Sequence, residues 1–125
     1  SLQAILYKKL TGSNEFDLLN IYQRDYILGR NPWGISFINN IGTVFSKNLH
    51  SQVAFFNNGY LSGALTAGPA PSNLLEKYKI QRLNNDNEFN SADIKYFDDR
   101  MDYITNEPTI VGNATALFVF GVLSN

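Results

Sequence analysis

Apolar positions at Leu2, Ile5, Leu6 and Leu10 fall at helical spacing, so the chain is expected to open with a helix over Leu2–Leu10. Gly12 is a stop signal. Ser13 or Asn14 is expected to cap a second helix, with Glu15 and Asp17 in its first turn, where carboxylates suit the helix dipole. Phe16, Leu19, Tyr22, Tyr26 and Ile27 carry its apolar stripe to about Leu28. Gly29 ends it, and Asn31-Pro32 is a breaker. The short polar turn between the two helices predicts an antiparallel hairpin.

From Pro32 to Tyr103 the pattern is mostly loop, punctuated by Gly34, Gly42, Gly59, Gly63, Gly68, Pro69 and Pro71. β-like pieces are expected near Ile35 to Ile38 and Val53 to Phe56. A short helix is expected over Leu74 to Leu83, and an exposed polar turn over Asn84 to Asn90. Stretches this long and irregular tend to carry function. Pro108 suits the first position of a last helix. That helix, Ile110 to Leu123, is apolar on nearly every side and is expected to lie buried among other elements. Two helices and a loop cannot surround it, which points to missing partners. The apolar run from Thr109, interrupted by Asn113, falls short of the roughly 20 residues that span a bilayer.

At 125 residues the chain fits one ordinary domain. Hydrophobic residues make up 44% and charged residues 17%, a globular composition. A net charge of -1 gives no reason to expect nucleic acid or an anionic membrane as partner. The absence of cysteine excludes disulfides and thiolate chemistry without placing the compartment. The chain starts at Ser1 with no signal-type stretch, so it is expected to start after any targeting segment or inside a longer protein. No His/Cys metal set and no phosphate loop is present, and no cofactor is expected. Asp86, Glu88 and Asp93 fit no EF-hand spacing and read as a solvated turn. Asparagines and an aromatic share of 14% suit both sugar binding and the plainer roles of loop and core.

The stretch Tyr96 to Ala114 carries the chemistry. It reads Tyr96-x-Asp98-x4-Tyr103-x3-Glu107-x-Thr109-x3-Asn113-Ala114. This pattern resembles the signature that closes the catalytic domain of glycoside hydrolase family 9, the inverting cellulases. Further matches occur in the same order. Leu28-Gly29, Asn31-Pro32 and Gly34-Ile35-Ser36 are similar to one family string. Gly63-Ala64-Leu65…Gly68-Pro69 is similar to another. Lys47-Asn48-Leu49-His50 resembles the stretch that ends in His-x-Arg, with Gln52 at the arginine position. Gly112 replaces a tyrosine common in the family. Trp33 reads either as a sugar-stacking ring or as packing.

The resemblance implies an all-α fold with long irregular loops, about the last three helices of an (α/α)6 barrel. Residues 1–125 would form the C-terminal segment of one incomplete catalytic domain. It implies that Glu107 is the general acid and Asp98 a second catalytic residue, with His50, Asp99 and Tyr103 contacting substrate. A general acid must hold its proton at working pH, whereas a helix N-terminus favours the carboxylate. Burial and neighbouring carboxylates such as Asp98, Asp99 and Asp102 must therefore outweigh the dipole.

The plainer reading of Glu107 is a helix N-terminal carboxylate, and that of Asp98 and Asp99 an acidic turn paired with Arg100. By the resemblance, the expected function is hydrolysis of β-1,4-glucosidic bonds in cellulose-like polymers, outside the cytoplasm (secreted, periplasmic or cell-surface). The expected partners are a β-glucan and the remainder of the domain. The catalytic base has no counterpart in these residues, so the isolated chain is expected to be inactive. Two alternatives stay open: a non-catalytic glycan-binding or partner-packing remnant, and a relative with exo-glycosidase specificity.

Overall fold

The computed structural model describes residues 1–83 and 87–124. The helices come in two sizes. Three long ones, α1 (Leu2–Thr11), α2 (Asp17–Ile27) and α6 (Ile110–Leu123), match the three expected from periodicity. Among the described residues three short ones lie between α2 and α6: α3 (Gln52–Phe56), α4 (Ser72–Tyr78) and α5 (Tyr103–Asn106). Strand is confined, among the described residues, to an antiparallel pair, β1 (Ala70–Pro71) with β2 (Ile94–Lys95), and to two isolated bridges, Ser36 with Phe45 and Ile38 with Leu65.

Gly12 stops α1 as expected. It takes the left-handed conformation at φ 73°, and its N–H closes on the Lys8 carbonyl at 2.9 Å. Helix α2 folds back on α1. Tyr7 and Phe16 meet edge to face at 4.9 Å, and Lys8 reaches the Asp17 carboxylate at 2.6 Å. The cap differs from expectation. Helix α2 starts at Asp17 behind Phe16, with no side-chain cap, because the Ser13 hydroxyl is taken by the Glu15 N–H at 3.2 Å. At the other end, Asp25 pairs with Arg24 at 2.7 Å and Arg30 at 2.9 Å. Hydrogen bonds from Arg24 and then Arg30 hold its carboxyl below the usual value.

Three local expectations change. Val53 to Phe56 is helical, not β-like. Ser51 caps it through its hydroxyl, and Ala54 turns into a small cluster with Leu49 and Ala64. Helix α4 begins at Ser72 and ends at Tyr78, where Lys79 turns left-handed. Pro108 lies before the cap of α6 rather than inside it. Thr109 is the cap, and its hydroxyl accepts the Gly112 N–H at 3.1 Å. The expected polar turn at 84–90 lies partly outside the described residues, as does Asp86.

Helix α6 also departs from the buried helix expected of it. Only Val119 is buried, while Ile110, Val111 and Leu117 are exposed. It touches α1 along one side, and the described elements leave the rest of its apolar surface open. None of the described helices is long and apolar enough to cross a membrane.

The centre of the irregular region is aromatic. Trp33, Phe37 and Tyr96 form a buried cluster, with Tyr26, Ile35 and Leu65 packed against it. Each buried ring contributes roughly 1.5–3 kcal/mol. Trp33 is therefore a packing residue here, and its indole N–H donates to Asn90 Oδ1 at 2.8 Å. The Tyr96 hydroxyl lies 2.5 Å from Ser46 Oγ and donates to Asn106 Oδ1 at 2.9 Å. Burial, reinforced by the charge of Asp98, pushes this hydroxyl far above its ordinary value of 10.0. In the unfolded chain Tyr96 loses its proton first. The stability that this hydroxyl contributes is thus fully present below pH 10 and is lost as the pH rises past it. Denaturant titrations above that point should show a loss approaching ~1.4 kcal/mol per pH unit from this group, so the slope should be shallower in Tyr96→Phe, where the half-buried Tyr26 still contributes. Equal slopes in the two proteins would contradict this account.

Candidate active site

The motif residues meet around Asn106, the residue before Glu107. Asn106 is fully buried at the end of α5. Its side-chain amide donates to the Asn48 carbonyl at 2.5 Å and to Asp98 Oδ1 at 3.1 Å. Its own carbonyl accepts the His50 N–H at 3.0 Å. One buried amide therefore ties the loop carrying His50 to the turn carrying Glu107.

Asp98 works in the same knot. Its carboxylate accepts the N–H of Lys47 at 3.0 Å and of Asn48 at 2.9 Å. Two successive backbone donors on one carboxylate fix that loop in place. Asp99 is buried and accepts the Met101 N–H at 2.8 Å. Asp102 caps α5, accepting from Ile104 and Thr105, and pairs with Arg82 at 2.5 Å. The acidic run is thus a set of backbone anchors rather than a solvated turn. Arg100 sits over the Phe55 ring at 5.2 Å.

His50 Nδ1 lies 2.7 Å from the Arg100 carbonyl. A carbonyl only accepts, so Nδ1 carries the proton, and in the corresponding uncharged tautomer Nε2 is an acceptor. Tyr103 stands edge-on to His50 at 5.9 Å and to Tyr78 at 6.2 Å, which fixes the imidazole plane from one side.

Glu107 is exposed, two residues before the Thr109 cap of α6. It lines an open groove of about 1150 Å³ together with His50, Asn48, Gln52, Arg100 and Phe55. The structure thus brings Glu107 and His50 to one groove, with Asp98 bonded to the Asn48 backbone on its wall. Asp99 and Tyr103 do not line this groove. Sequence reasoning missed Asn48, Asn106 and the two phenylalanines of α3. Asn106 had a signal, since it directly precedes Glu107, but its amide reaches a carbonyl 58 residues away.

The whole constellation comes from stretches that match one known family. The Glycosyl hydrolase family 9 model matches residues 1–120. The chain belongs to glycosyl hydrolase family 9. Among its relatives, Endoglucanase 13 of Oryza sativa subsp. japonica is 32% identical over 109 residues, covering 82% of this chain and 17% of that protein. Endoglucanase 21 of Arabidopsis thaliana is 30% identical over 115 residues, covering 82% of this chain and 16% of that protein. The chain therefore spans about one sixth of the length of these relatives. No solved structure matches it.

Within this family 9 chain the departure at Gly112 has a local consequence. A Cβ there would lie 2.9 Å from Thr109 Oγ1, the atom that caps α6, so a larger residue must displace the cap. Among the described residues no three His, Cys, Asp or Glu side chains converge in a way that could hold a metal ion.

The Asn106 knot should be measurable. Asn106→Ala removes the amide from Asn48, Asp98 and Tyr96 at once and leaves buried groups unpaired. Urea unfolding should show a loss of at least about 2 kcal/mol. Asn73→Ala, exposed on α4, should cost about 0.5 kcal/mol or less. Equal effects of the two would remove the knot from this account.

Proposed function

We propose that the chain supplies the C-terminal segment of an inverting glycoside hydrolase that cleaves β-1,4-glucosidic bonds in cellulose-like polysaccharides. The observation that carries this is the coupling of His50 to Glu107 through Asn106 on one open groove. Membership of family 9 and relatives named endoglucanases support the substrate class.

In this reading Glu107 is the general acid. It protonates the leaving glycosidic oxygen as the bond breaks. His50 contacts the substrate through the acceptor Nε2, which suits a sugar hydroxyl. Asp98 belongs to the catalytic set as a positioning residue, holding the Lys47–Asn48 backbone through its carboxylate. Asp99 and Tyr103 shape the site from outside the groove, Tyr103 by setting the His50 ring. The inverting mechanism needs a second carboxylate about 6.5–9.5 Å from the acid to activate water. We assign that base to the remainder of the domain, which also completes the (α/α)6 barrel and covers α6. Burial of Glu107 by the same remainder would counter the dipole of α6 and keep the acid protonated. A polymeric glucan substrate places the enzyme outside the cytoplasm: secreted, periplasmic or at the cell surface.

The test uses the complete parent protein and β-1,4-gluco-oligosaccharides, with NMR detection of the first anomer formed. The α-anomer should appear first, and Glu107→Gln should lower kcat by at least about 100-fold. A first-formed β-anomer would refute inversion. Undiminished turnover by Glu107→Gln would refute the acid role. The isolated chain should release no reducing sugar from the same substrates, and turnover there would place the base within residues 1–125.

A further inference from the structure

The groove that holds Glu107 has a second feature that the acid chemistry does not use. Helix α3 presents two phenylalanine rings to it, Phe55 at 57% and Phe56 at 83% exposure. The rings meet edge to face at 5.4 Å. The helix that carries them is anchored to the body of the protein. Ala54 between the helix and the body is buried, and its carbonyl accepts the Gly59 N–H at 2.7 Å. Ser51 caps the start of the helix. The Arg100 guanidinium covers Phe55 at 5.2 Å, so one ring is already occupied and Phe56 is the open one. Polar groups of Gln52 and Asn58 line the same groove.

We propose that Phe56 is the floor of a sugar subsite, on which one pyranose ring of a β-1,4-glucan stacks. The inference rests on the reading of this groove as a glucan cleft. A pyranose in a β-1,4-glucan has equatorial hydroxyls, so its two faces are C–H surfaces and its edges are polar. An exposed aromatic ring matches the face, since aromatic rings bring large apolar area and a directional π-surface. Gln52, Asn58 and the Arg100 guanidinium supply donors and acceptors for the edges. Gln52 stands where the family resemblance expects arginine. In this chain the next turn of α3 adds the ring, so sugar affinity here draws on stacking beside hydrogen bonding.

The experiment uses the complete parent protein in its Glu107→Gln form, which should bind without turning over, and cellohexaose as the probe in isothermal titration calorimetry. Phe56→Leu keeps apolar volume and removes the flat face. Phe56→Tyr keeps the face. Phe56→Leu should weaken cellohexaose binding about tenfold and Phe56→Tyr should leave it within about twofold, with both melting like the parent. Unchanged affinity in Phe56→Leu overturns the subsite. A lowered melting temperature in both variants also overturns it, because the ring would then be buried under the rest of the protein. Failure of the Glu107→Gln parent itself to bind cellohexaose would instead refute the glucan cleft, a result distinct from either.

Discussion

Satisfying buried backbone groups without regular secondary structure is the constraint on which this structure depends. Between α2 and α6 the described residues form short helices, one two-residue strand pair and long loops. Its buried N–H and C=O groups still need partners. Side-chain amides provide many of them. Asn106 holds Asn48 and Asp98, and receives the Tyr96 hydroxyl. Asn39 bonds the Ser46 carbonyl and the Leu61 N–H. Asn113 bonds both the N–H and the carbonyl of Leu65. An amide both donates and accepts, so one residue can do for two loops what a ladder does for two strands.

The candidate site inherits its geometry from this network. Glu107 lies between the end of α5 and the cap of α6, and His50 lies on a loop. Neither stands on a long element that would position it alone. The Asn106 carbonyl and amide set their relation, Asp98 locks the intervening loop, and the Tyr103 ring sets the His50 plane. Such a site depends on residues that never reach the groove. Loss of one buried amide should disturb several groups together, because Asn106 bonds Asn48, Asp98, His50 and Tyr96 at once.

The outer elements show the opposite condition. Helix α6 exposes Ile110, Val111 and Leu117. A second cavity of about 610 Å³ opens between α1, α2 and the end of α6, and the buried Asn20 Oδ1 on its wall has no partner among the described residues. An uncovered apolar helix and an orphaned acceptor each cost free energy that further contacts would recover. Both fit a chain that spans about one sixth of its family 9 relatives.

Local physics made the long helices readable. The stripe of α1, the stop at Gly12 and the apolar run of α6 follow from spacing and backbone freedom, and the ordered motif from Tyr96 to Ala114 pointed to the family. Boundaries and short elements were less legible. The Ser13 hydroxyl turned to Glu15 instead of capping α2, and Val53 to Phe56 coiled because Ala54 found a pocket with Leu49 and Ala64. Those outcomes depend on neighbours distant along the chain. The same holds for the site. The sequence by itself determined that Glu107, His50 and Asp98 stand out as candidates. Only the tertiary structure decided that Asn106 joins them, that Trp33 packs inward, and that Phe56 faces the groove. A side chain's type sets what it can bond, but its partners are chosen by a fold that brings residues about 50 positions apart within hydrogen-bond reach.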